Sequence, residues 1–298
     1  MHRRTDRRNY RRAIALVASA LVLAVSSTAS GQMTSPTLER IKSSGEFRIG
    51  FVPDAPPMSF LDDQGNAVGY SIDLCRTIAG SIRAELGLDT LDLSFTPLVS
   101  MEDRMSAVEN GDVDIECGAT TVTLSRRGRV DFTLLTFITG GAVLSRTGNA
   151  IAGVDGIEGN NIAVIAGTTT ESSLREFLEG GDVDAQLTMI STHDEGMEAL
   201  ADGDVDGYAS DRAMLVGQVF RAAGMNDYRL TQNVFSFEPY AMMLRRGDSE
   251  FRLAADRALA GLYRTARIRR IHHNWFGRYG EAMTPVLEAM YEFQAVGE

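Results

Sequence analysis

Residues 111–121, GDVDIECGATT, set the architecture that we predict for this chain. The four residues GDVD recur at 203–206, and each copy follows a run with helical spacing that ends in glycine. A glycine just after a helix is typical of its C-terminal cap, and the apolar run that follows is typical of a buried strand. Both copies therefore predict a helix that leads directly into a sheet strand.

Strands and helices alternate outward from these two segments. A strand at Phe47 to Val52 precedes a helix at about Ser71 to Leu86, and a second alternating set begins at Gly159. This order is typical of parallel sheets and predicts a two-lobed α/β protein. The β-rich segments FTLLTFITGGAVLSR (132–146) and VFSFEPYAMMLRRG (234–247) are predicted to cross between the lobes.

The N-terminus has the pattern of a secretory signal peptide. Six arginines precede a short apolar run, Ala13 to Val25, and small residues follow it. We therefore assign 1–31 to a signal peptide and expect a periplasmic protein. Lobe 1 is predicted to comprise 37–137 and 237–298, and lobe 2 is predicted to comprise 138–236.

Composition excludes several classes of partner. The 298 residues are 44% hydrophobic and 23% charged, which is ordinary globular usage, and carry a formal net charge of −11. An acidic surface argues against nucleic acid or an anionic membrane as partner. Cys75 and Cys117 are the two cysteines, and an oxidising compartment allows them to pair. Their spacing fits neither a zinc site nor a CxxC redox motif, and we expect a monomer with no metal or cofactor.

The search for catalytic motifs is negative. HExxH, GxSxG, the P-loop and GxGxxG are all absent from the sequence. His272 and His273 lie in a basic helical segment beside Trp275, where a surface or packing role is expected. His193 begins a predicted helix, so it either caps that helix or contacts a ligand.

Polar residues follow the strands of both lobes. In open α/β sheets, small molecules bind at the carboxyl ends of strands, where helix N-termini offer free N–H groups. Arg126 follows one strand end closely enough to bind a carboxylate with its guanidinium group. Asp211 follows the strand GYAS, where it can receive an ammonium group or simply cap a helix. The threonines at these strand ends, which either cap helices or bind a ligand, are Thr120, Thr121, Thr168, Thr169 and Thr170. Together these groups describe a receptor for the head group of an α-amino acid.

The order of the motifs resembles a known family, the solute-binding proteins of polar amino acid ABC transporters, and especially their glutamate/aspartate-binding branch. The motifs are GYSIDLC, EDRMSAVENGDVDIECGATT, LSRRGRVDFT, AGTTTESSL, ISTHDEG, SDRAML and the terminal WFG. The resemblance covers essentially the whole chain from about Leu38. It implies a type II periplasmic binding protein fold, in which two Rossmann-like lobes joined by two hinge strands close on one amino acid.

The resemblance also implies roles for individual residues. Arg126 would hold the α-carboxylate, together with groups from Ala119 to Thr121 and from Thr168 or Thr169. Asp211 would hold the α-ammonium. Arg104 would reach a side-chain carboxylate, unless it is simply a solvated helix residue.

Two departures from the acidic branch leave the ligand open. Val52 stands where that branch can place another arginine, and Glu195 stands where it can place a histidine. Fewer cations and one more anion make glutamine, asparagine or a broader polar range credible beside glutamate and aspartate. Met58, Ser59 and Phe60 are expected to wall the pocket, or merely to pack.

We therefore expect a periplasmic binding protein, not an enzyme, that delivers an L-amino acid to an ABC transporter permease. One alternative is a periplasmic cyclohexadienyl or arogenate dehydratase on the same scaffold, for which Glu195 is the candidate general acid. Another alternative is a module that reports ligand occupancy to a receptor.

Overall fold

The computed structural model describes residues 35–222 and 226–297, so the predicted signal peptide lies outside the described residues. The described chain is mixed α/β with two five-stranded sheets, which confirms the predicted two-lobed fold class. No helix in the described ranges combines the length and the apolar character needed to cross a membrane.

Helices and strands alternate along both lobes. The strands are β1 (Glu46–Phe51), β2 (Asp54–Ala55), β3 (Ser59–Leu61), β4 (Ala67–Val68), β5 (Asp92–Pro97), β6 (Ile115–Glu116), β7 (Val130–Phe132), β8 (Phe137–Thr139), β9 (Gly141–Arg146), β10 (Asn161–Ile165), β11 (Gln186–Ile190), β12 (Gly207–Asp211), β13 (Tyr228–Leu230), β14 (Glu238–Tyr240) and β15 (Met243–Arg245). The helices are α1 (Pro36–Ser44), α2 (Tyr70–Glu85), α3 (Met101–Asn110), α4 (Leu124–Arg127), α5 (Thr169–Gly181), α6 (His193–Asp202), α7 (Arg212–Arg221), α8 (Ser249–Arg264), α9 (Arg267–Phe276) and α10 (Pro285–Phe293).

The two large sheets define the lobes. Lobe 1 contains the sheet β5-β1-β6-β15-β7, in which β1 runs parallel to β5 and β6. Lobe 2 contains the sheet β11-β10-β12-β9-β13, in which β10 runs parallel to β11 and β12. In each lobe the central parallel strands therefore end at the same edge of their sheet, which is where open α/β sheets bind small molecules.

The repeated GDVD segments play equivalent parts in the two lobes. Gly111 and Gly203 both adopt positive φ, at 73° and 87°, and end α3 and α6 as left-handed caps. Asp114 accepts a hydrogen bond from the N–H of Arg48 at 2.7 Å, and Asp206 accepts one from the N–H of Asn161 at 2.9 Å. Each repeat thus ends a helix and then joins its strand to the first parallel strand of the same lobe.

The strands β8 and β14 link the lobes as an antiparallel pair, with Glu238 opposite Thr139 and Tyr240 opposite Phe137. They lie within the two segments that were expected to cross. We propose the lobe boundaries predicted from the sequence, with the first lobe resuming at residue 237.

The lobes also meet away from this pair. The carboxylate of Asp54 in lobe 1 accepts a hydrogen bond from the N–H of His193 at 2.8 Å, and its carbonyl accepts one from Gln218 at 2.7 Å. The rings of Phe220 and Tyr279 lie 4.4 Å apart between centroids. The two lobes are therefore in direct contact at points other than the crossing strands.

Lobe 1 carries a covalent link that the sequence left open. A disulfide joins Cys75 in α2 to Cys117 at the end of β6. Both residues are fully buried in the apolar core of this lobe. The link therefore fixes the strand end from which the GATT segment emerges.

Candidate functional site

A cavity of about 250 Å³ lies between the lobes. It is slightly smaller than the roughly 300–1,000 Å³ typical of sites for drug-sized ligands, as expected for a smaller molecule. The predicted site residues that line it are Arg104, Ala119, Thr121, Arg126, Thr168, Thr169, His193 and Asp211. Residues from both lobes thus face one shared cavity.

Arg126 is presented by the short helix α4. Thr123 caps this helix by accepting the N–H of Arg126 at 3.1 Å, and the Arg126 guanidinium donates from Nη1 to the carbonyl of Thr121 at 2.8 Å. Burial and the nearby charge of Arg104 lower the pKa of Arg126 to about 10, so the group stays cationic at neutral pH. Within the described chain Nε and Nη2 make no hydrogen bond, which leaves one edge of the guanidinium available to a carboxylate.

Asp211 is the last residue of β12 and lies just before α7. Its side chain does not cap that helix, so the capping alternative is wrong. Instead, Oδ1 accepts the hydroxyl of Thr170 at 2.8 Å, and Oδ2 accepts the hydroxyl of Tyr240. Burial, reinforced by the charge of Glu238, raises the pKa of Asp211 to about 6. The carboxyl group is mainly ionised at neutral pH and is held at the cavity wall by two donors.

The threonines at the start of α5 include the cap of that helix, and they line the cavity. Thr168 caps the helix by accepting the N–H of Glu171 at 3.1 Å, and it donates its own proton to the carbonyl of Ile165 at 2.7 Å. Thr168, Thr169 and Thr170 all line the cavity, so the N-terminus of this 13-residue helix faces it. A helix N-terminus favours negative charge through its dipole and its free N–H groups.

Arg104 is not a solvated helix residue. It is only 7% exposed, and its Nε lies 2.9 Å from Oε1 of the fully buried Glu116. Thr120 donates to Glu116 Oε2 at 2.8 Å and accepts from Arg104 Nη2, so Thr120 lies behind the cavity and does not line it. Arg104 Nη1 has no hydrogen-bond partner among the described residues. The guanidinium is therefore braced on one side and open on the other.

Four further predicted residues lie outside the cavity lining, and one of them, Met58, is fully buried. Ser59 is fully buried and bonds the N–H and the carbonyl of Val52, each at 3.0 Å. Phe60 packs edge-on against Trp275, with 5.8 Å between ring centroids. Glu195 is exposed and turns back to accept the N–H of Ser191 at 2.7 Å. These side chains stabilise the structure around the cavity and do not line it.

His193 both begins a helix and lines the cavity. Its N–H is held by Asp54, and its Nδ1 lies 2.6 Å from the hydroxyl of Tyr208. Burial lowers the pKa of His193, so the ring is neutral at pH 7. Asp54 also lines the cavity, and it was missed from the sequence although it follows the end of the predicted strand Phe47 to Val52, because it falls in the Pro-rich segment GFVPDAPP.

Comparison with known proteins identifies the family of the chain. The model of the bacterial extracellular solute-binding proteins, family 3, matches residues 47–278. The chain belongs to this family. It is 32% identical over 241 residues, 80% of each chain, to the L-glutamate/L-aspartate-binding protein of Pseudomonas aeruginosa. It is 27% identical to the glutamate/aspartate import solute-binding protein of Salmonella typhimurium, over 80% of this chain and 79% of that protein.

A solved structure shares the fold. It is the ancestral amino acid-binding protein AncCDT-1, described as a precursor of cyclohexadienyl dehydratase, with a TM-score of 0.70 and 25% identity. The match covers 80% of this chain and 99% of that one. The resemblance stated from the motifs is therefore confirmed at the level of family and fold, and this solute-binding protein is related to binding proteins of amino acid ABC transporters.

Proposed function

We propose that this solute-binding protein holds a polar L-amino acid between its lobes in the periplasm and delivers it, as a monomer, to an ABC transporter permease. The ligand is glutamate, aspartate or one of their amides. No bond is made or broken, and binding energy goes into stabilising the closed arrangement of the lobes.

The observation that supports this proposal is the position of Arg126 and Asp211. Arg126 comes from lobe 1 and Asp211 from lobe 2, yet both line the same cavity. They are close enough that the charge of each shifts the pKa of the other towards its ionised form. A cation and an anion across one small cavity match the carboxylate and ammonium groups of an amino acid.

The N-terminus of α5 supplies a second attraction for the carboxylate. Because Thr168 and Thr169 belong to lobe 2, the carboxylate meets Arg126 and the helix N-terminus together only when the lobes are closed. A ligand that makes its full contacts in one state shifts the population towards that state. The permease would then recognise the closed lobes.

The charges around the cavity admit an uncharged side chain. Glu116 pairs with Arg104, and Asp54 lines the cavity without an ion pair among the described residues. A side-chain carboxylate would gain from the open edge of Arg104 but would meet the field of these two carboxylates. A side-chain amide would lose the attraction by Arg104 but would avoid repulsion by the two carboxylates. We therefore include glutamine and asparagine among the proposed ligands.

The dehydratase alternative has less support, because its candidate general acid, Glu195, does not line the cavity. The Glu195 carboxylate instead accepts the N–H of Ser191, which does line it.

A thermal-shift panel tests the proposal. The protein is heated with each of the twenty L-amino acids, and prephenate and arogenate turnover are assayed in parallel. We expect glutamate, aspartate or an amide to raise the melting temperature, because binding at about 100 times Kd adds roughly 2.7 kcal/mol to the stability. Turnover of either acid without stabilisation by any amino acid would contradict the proposal.

A further inference from the structure

Glu238 is a buried carboxylate at the junction of the two lobes. It begins the crossing strand β14, opposite Thr139 of β8, and is only 1% exposed. No ion pair to Glu238 is found in the described parts of the chain, and its hydrogen-bond donors there are hydroxyl groups. Ionised groups are costly to bury without a cation or several hydrogen bonds, and the hydroxyl donors of Glu238 supply three such bonds.

The hydroxyls come from both lobes. Oε2 accepts Thr121 Oγ1 of lobe 1 at 2.6 Å and Thr169 Oγ1 of lobe 2 at 2.8 Å, while Oε1 accepts Ser236 Oγ at 2.6 Å. Thr121 and Thr169 also line the cavity, and their two oxygens lie 3.3 Å apart. One carboxylate oxygen therefore accepts hydrogen bonds from two cavity hydroxyls, one from each lobe.

This arrangement fixes which way the hydroxyl protons point. A hydroxyl has a single proton to donate, and a carboxylate can only accept. Since Thr121 and Thr169 direct their protons to Glu238, or to each other, their oxygens offer lone pairs to the cavity. Such oxygens suit an ammonium donor and do not suit a carboxylate. The family resemblance implied that groups from these threonines hold the α-carboxylate. The direction of the hydroxyl protons favours the ammonium group instead.

We propose that Glu238 is a positioning residue for the ammonium group of the ligand. It orients Thr121 and Thr169 as acceptors, so that with Asp211 they form an acceptor cluster around the ammonium. The α-carboxylate is left to Arg126 and the N-terminus of α5. This inference rests on the proposed function, since it requires an amino acid in the cavity.

The test compares ligands that differ only in the ammonium group. Dissociation constants are measured by calorimetry for L-glutamate against (S)-2-hydroxyglutarate, and for L-glutamine against its α-hydroxy analogue. In Glu238→Met the hydroxyl protons lose their acceptor and can turn towards the cavity. We expect the preference for the amino acid over the hydroxy acid to fall by roughly 10- to 100-fold, the range for a hydrogen bond to a charged group.

Matched variants separate positioning from folding. Thr169→Val removes one acceptor oxygen and keeps Glu238, so it should lower the same preference, and Thr169→Ser should recover it. Glu288→Met makes the same change as Glu238→Met at a surface position on α10, paired with Arg269, and should leave the preference unchanged.

Two results would overturn the inference in distinguishable ways. If Glu238→Met weakens both members of a ligand pair equally, Glu238 has no role specific to the ammonium. If Glu238→Met does not fold, the same result with Thr169→Val leads to the same conclusion. If the wild-type protein binds no amino acid at all, the proposed function fails, and the inference fails with it.

Discussion

The two walls of the cavity are built in different ways. The wall from lobe 1 carries two cationic side chains, Arg126 and Arg104. Arg104 is held in place by its ion pair with the buried Glu116. The wall from lobe 2 carries the N-terminus of α5 and one carboxylate, Asp211, held by hydroxyl donors. Lobe 1 therefore supplies two full positive charges on fixed side chains together with the carboxylate of Asp54, whereas lobe 2 supplies backbone dipoles and the carboxylate of Asp211.

This difference suggests a division of labour. The groups on lobe 1 are held by contacts within that lobe: Arg126 by Thr121, Arg104 by Glu116, and the strand end by the disulfide. Groups held in this way are preorganised, so they bind without a further ordering cost. On lobe 2, Asp211 accepts a hydrogen bond from Tyr240 of the crossing strand, so its surroundings depend on how the lobes meet. We infer that lobe 1 captures the carboxylate through Arg126, and that closure adds the N-terminus of α5 and the ammonium contact of Asp211.

Removal of Arg126 should have the largest effect. Arg126→Ala leaves the ligand carboxylate without its cation in a buried site, which typically costs about 2–5 kcal/mol or more. Calorimetry should therefore show no measurable binding of the amino acid that the wild type prefers. Arg127→Ala, at the exposed neighbouring position, should bind like the wild type. Retained affinity in Arg126→Ala would mean that lobe 1 is not the side that captures the carboxylate.

Breaking the Arg104–Glu116 pair should chiefly affect stability. Arg104→Met leaves Glu116 buried without a cation, which typically costs about 3–5 kcal/mol, whereas Arg104→Met combined with Glu116→Gln removes both charges and should cost much less. The free energies of unfolding in urea compare the two variants. Equal destabilisation by the single and the double variant would show that the pair does not brace this wall.

The folded double variant also isolates the effect of Arg104 on specificity. We expect its affinity for glutamate to fall relative to its affinity for glutamine, because the open guanidinium edge is gone. Calorimetric titration with both ligands measures this ratio. An unchanged ratio would remove Arg104 from side-chain recognition.

Loss of the disulfide should weaken lobe 1. Replacement of Cys75 and Cys117 by serine removes a covalent link between residues that are 42 positions apart in the sequence. Removing such a link typically costs about 2–4 kcal/mol, which denaturant unfolding would show. Reducing agent should lower the stability of the wild type and leave the double-serine variant unchanged. No loss of stability in either case would mean that the link does not brace the strand end.

The smallest predicted effect is the pH dependence of binding. The pKa of Asp211 is raised to about 6 without ligand, whereas an ammonium partner favours the ionised form and lowers this pKa. Below about pH 6 the carboxyl group must release a proton before it can bind, so Kd should rise up to about tenfold per pH unit between pH 6 and 5. Calorimetry in two buffers of different ionisation enthalpy would measure the released proton.

Asp256 provides the control for this experiment. Its pKa is also raised to about 6 by burial, but it lies on α8 and accepts the N–H of Leu134 outside the cavity lining. Asp256→Asn should keep the pH dependence of Kd, and Asp211→Asn should remove it along with most of the affinity. The opposite outcome would assign the pH dependence to Asp256 and not to Asp211.

Local signals made much of the fold predictable. The helix α3 ends at Gly111 as expected, and Ser100 and Asp103 form a capping box at its N-terminus. The crossing segments also lie where the β-rich runs placed them. Each of these features depends on residues close together in the chain, so the sequence pattern carries the information directly.

The missing parts of the site depend on distant contacts. Glu238 meets Thr121 across 117 positions and Thr169 across 69, and neither pairing leaves a periodic mark in the sequence. Glu116 lies inside an apolar run, where its burial could have been suspected but its partner could not be named. Arg126 and Asp211 were recognisable because strand ends and the family motifs identify positions, whereas the carboxylates that support the site become visible only in the fold.

The most direct test of the central claim is a calorimetric titration of the wild-type protein with glutamate, aspartate and their amides, and with analogues of each that lack either the α-carboxylate or the α-ammonium. The account predicts tight binding of at least one amino acid and a large loss of affinity when either group is missing. Binding of both kinds of analogue as tightly as the parent amino acid would contradict it, because the ligand would then not be held between Arg126 and Asp211.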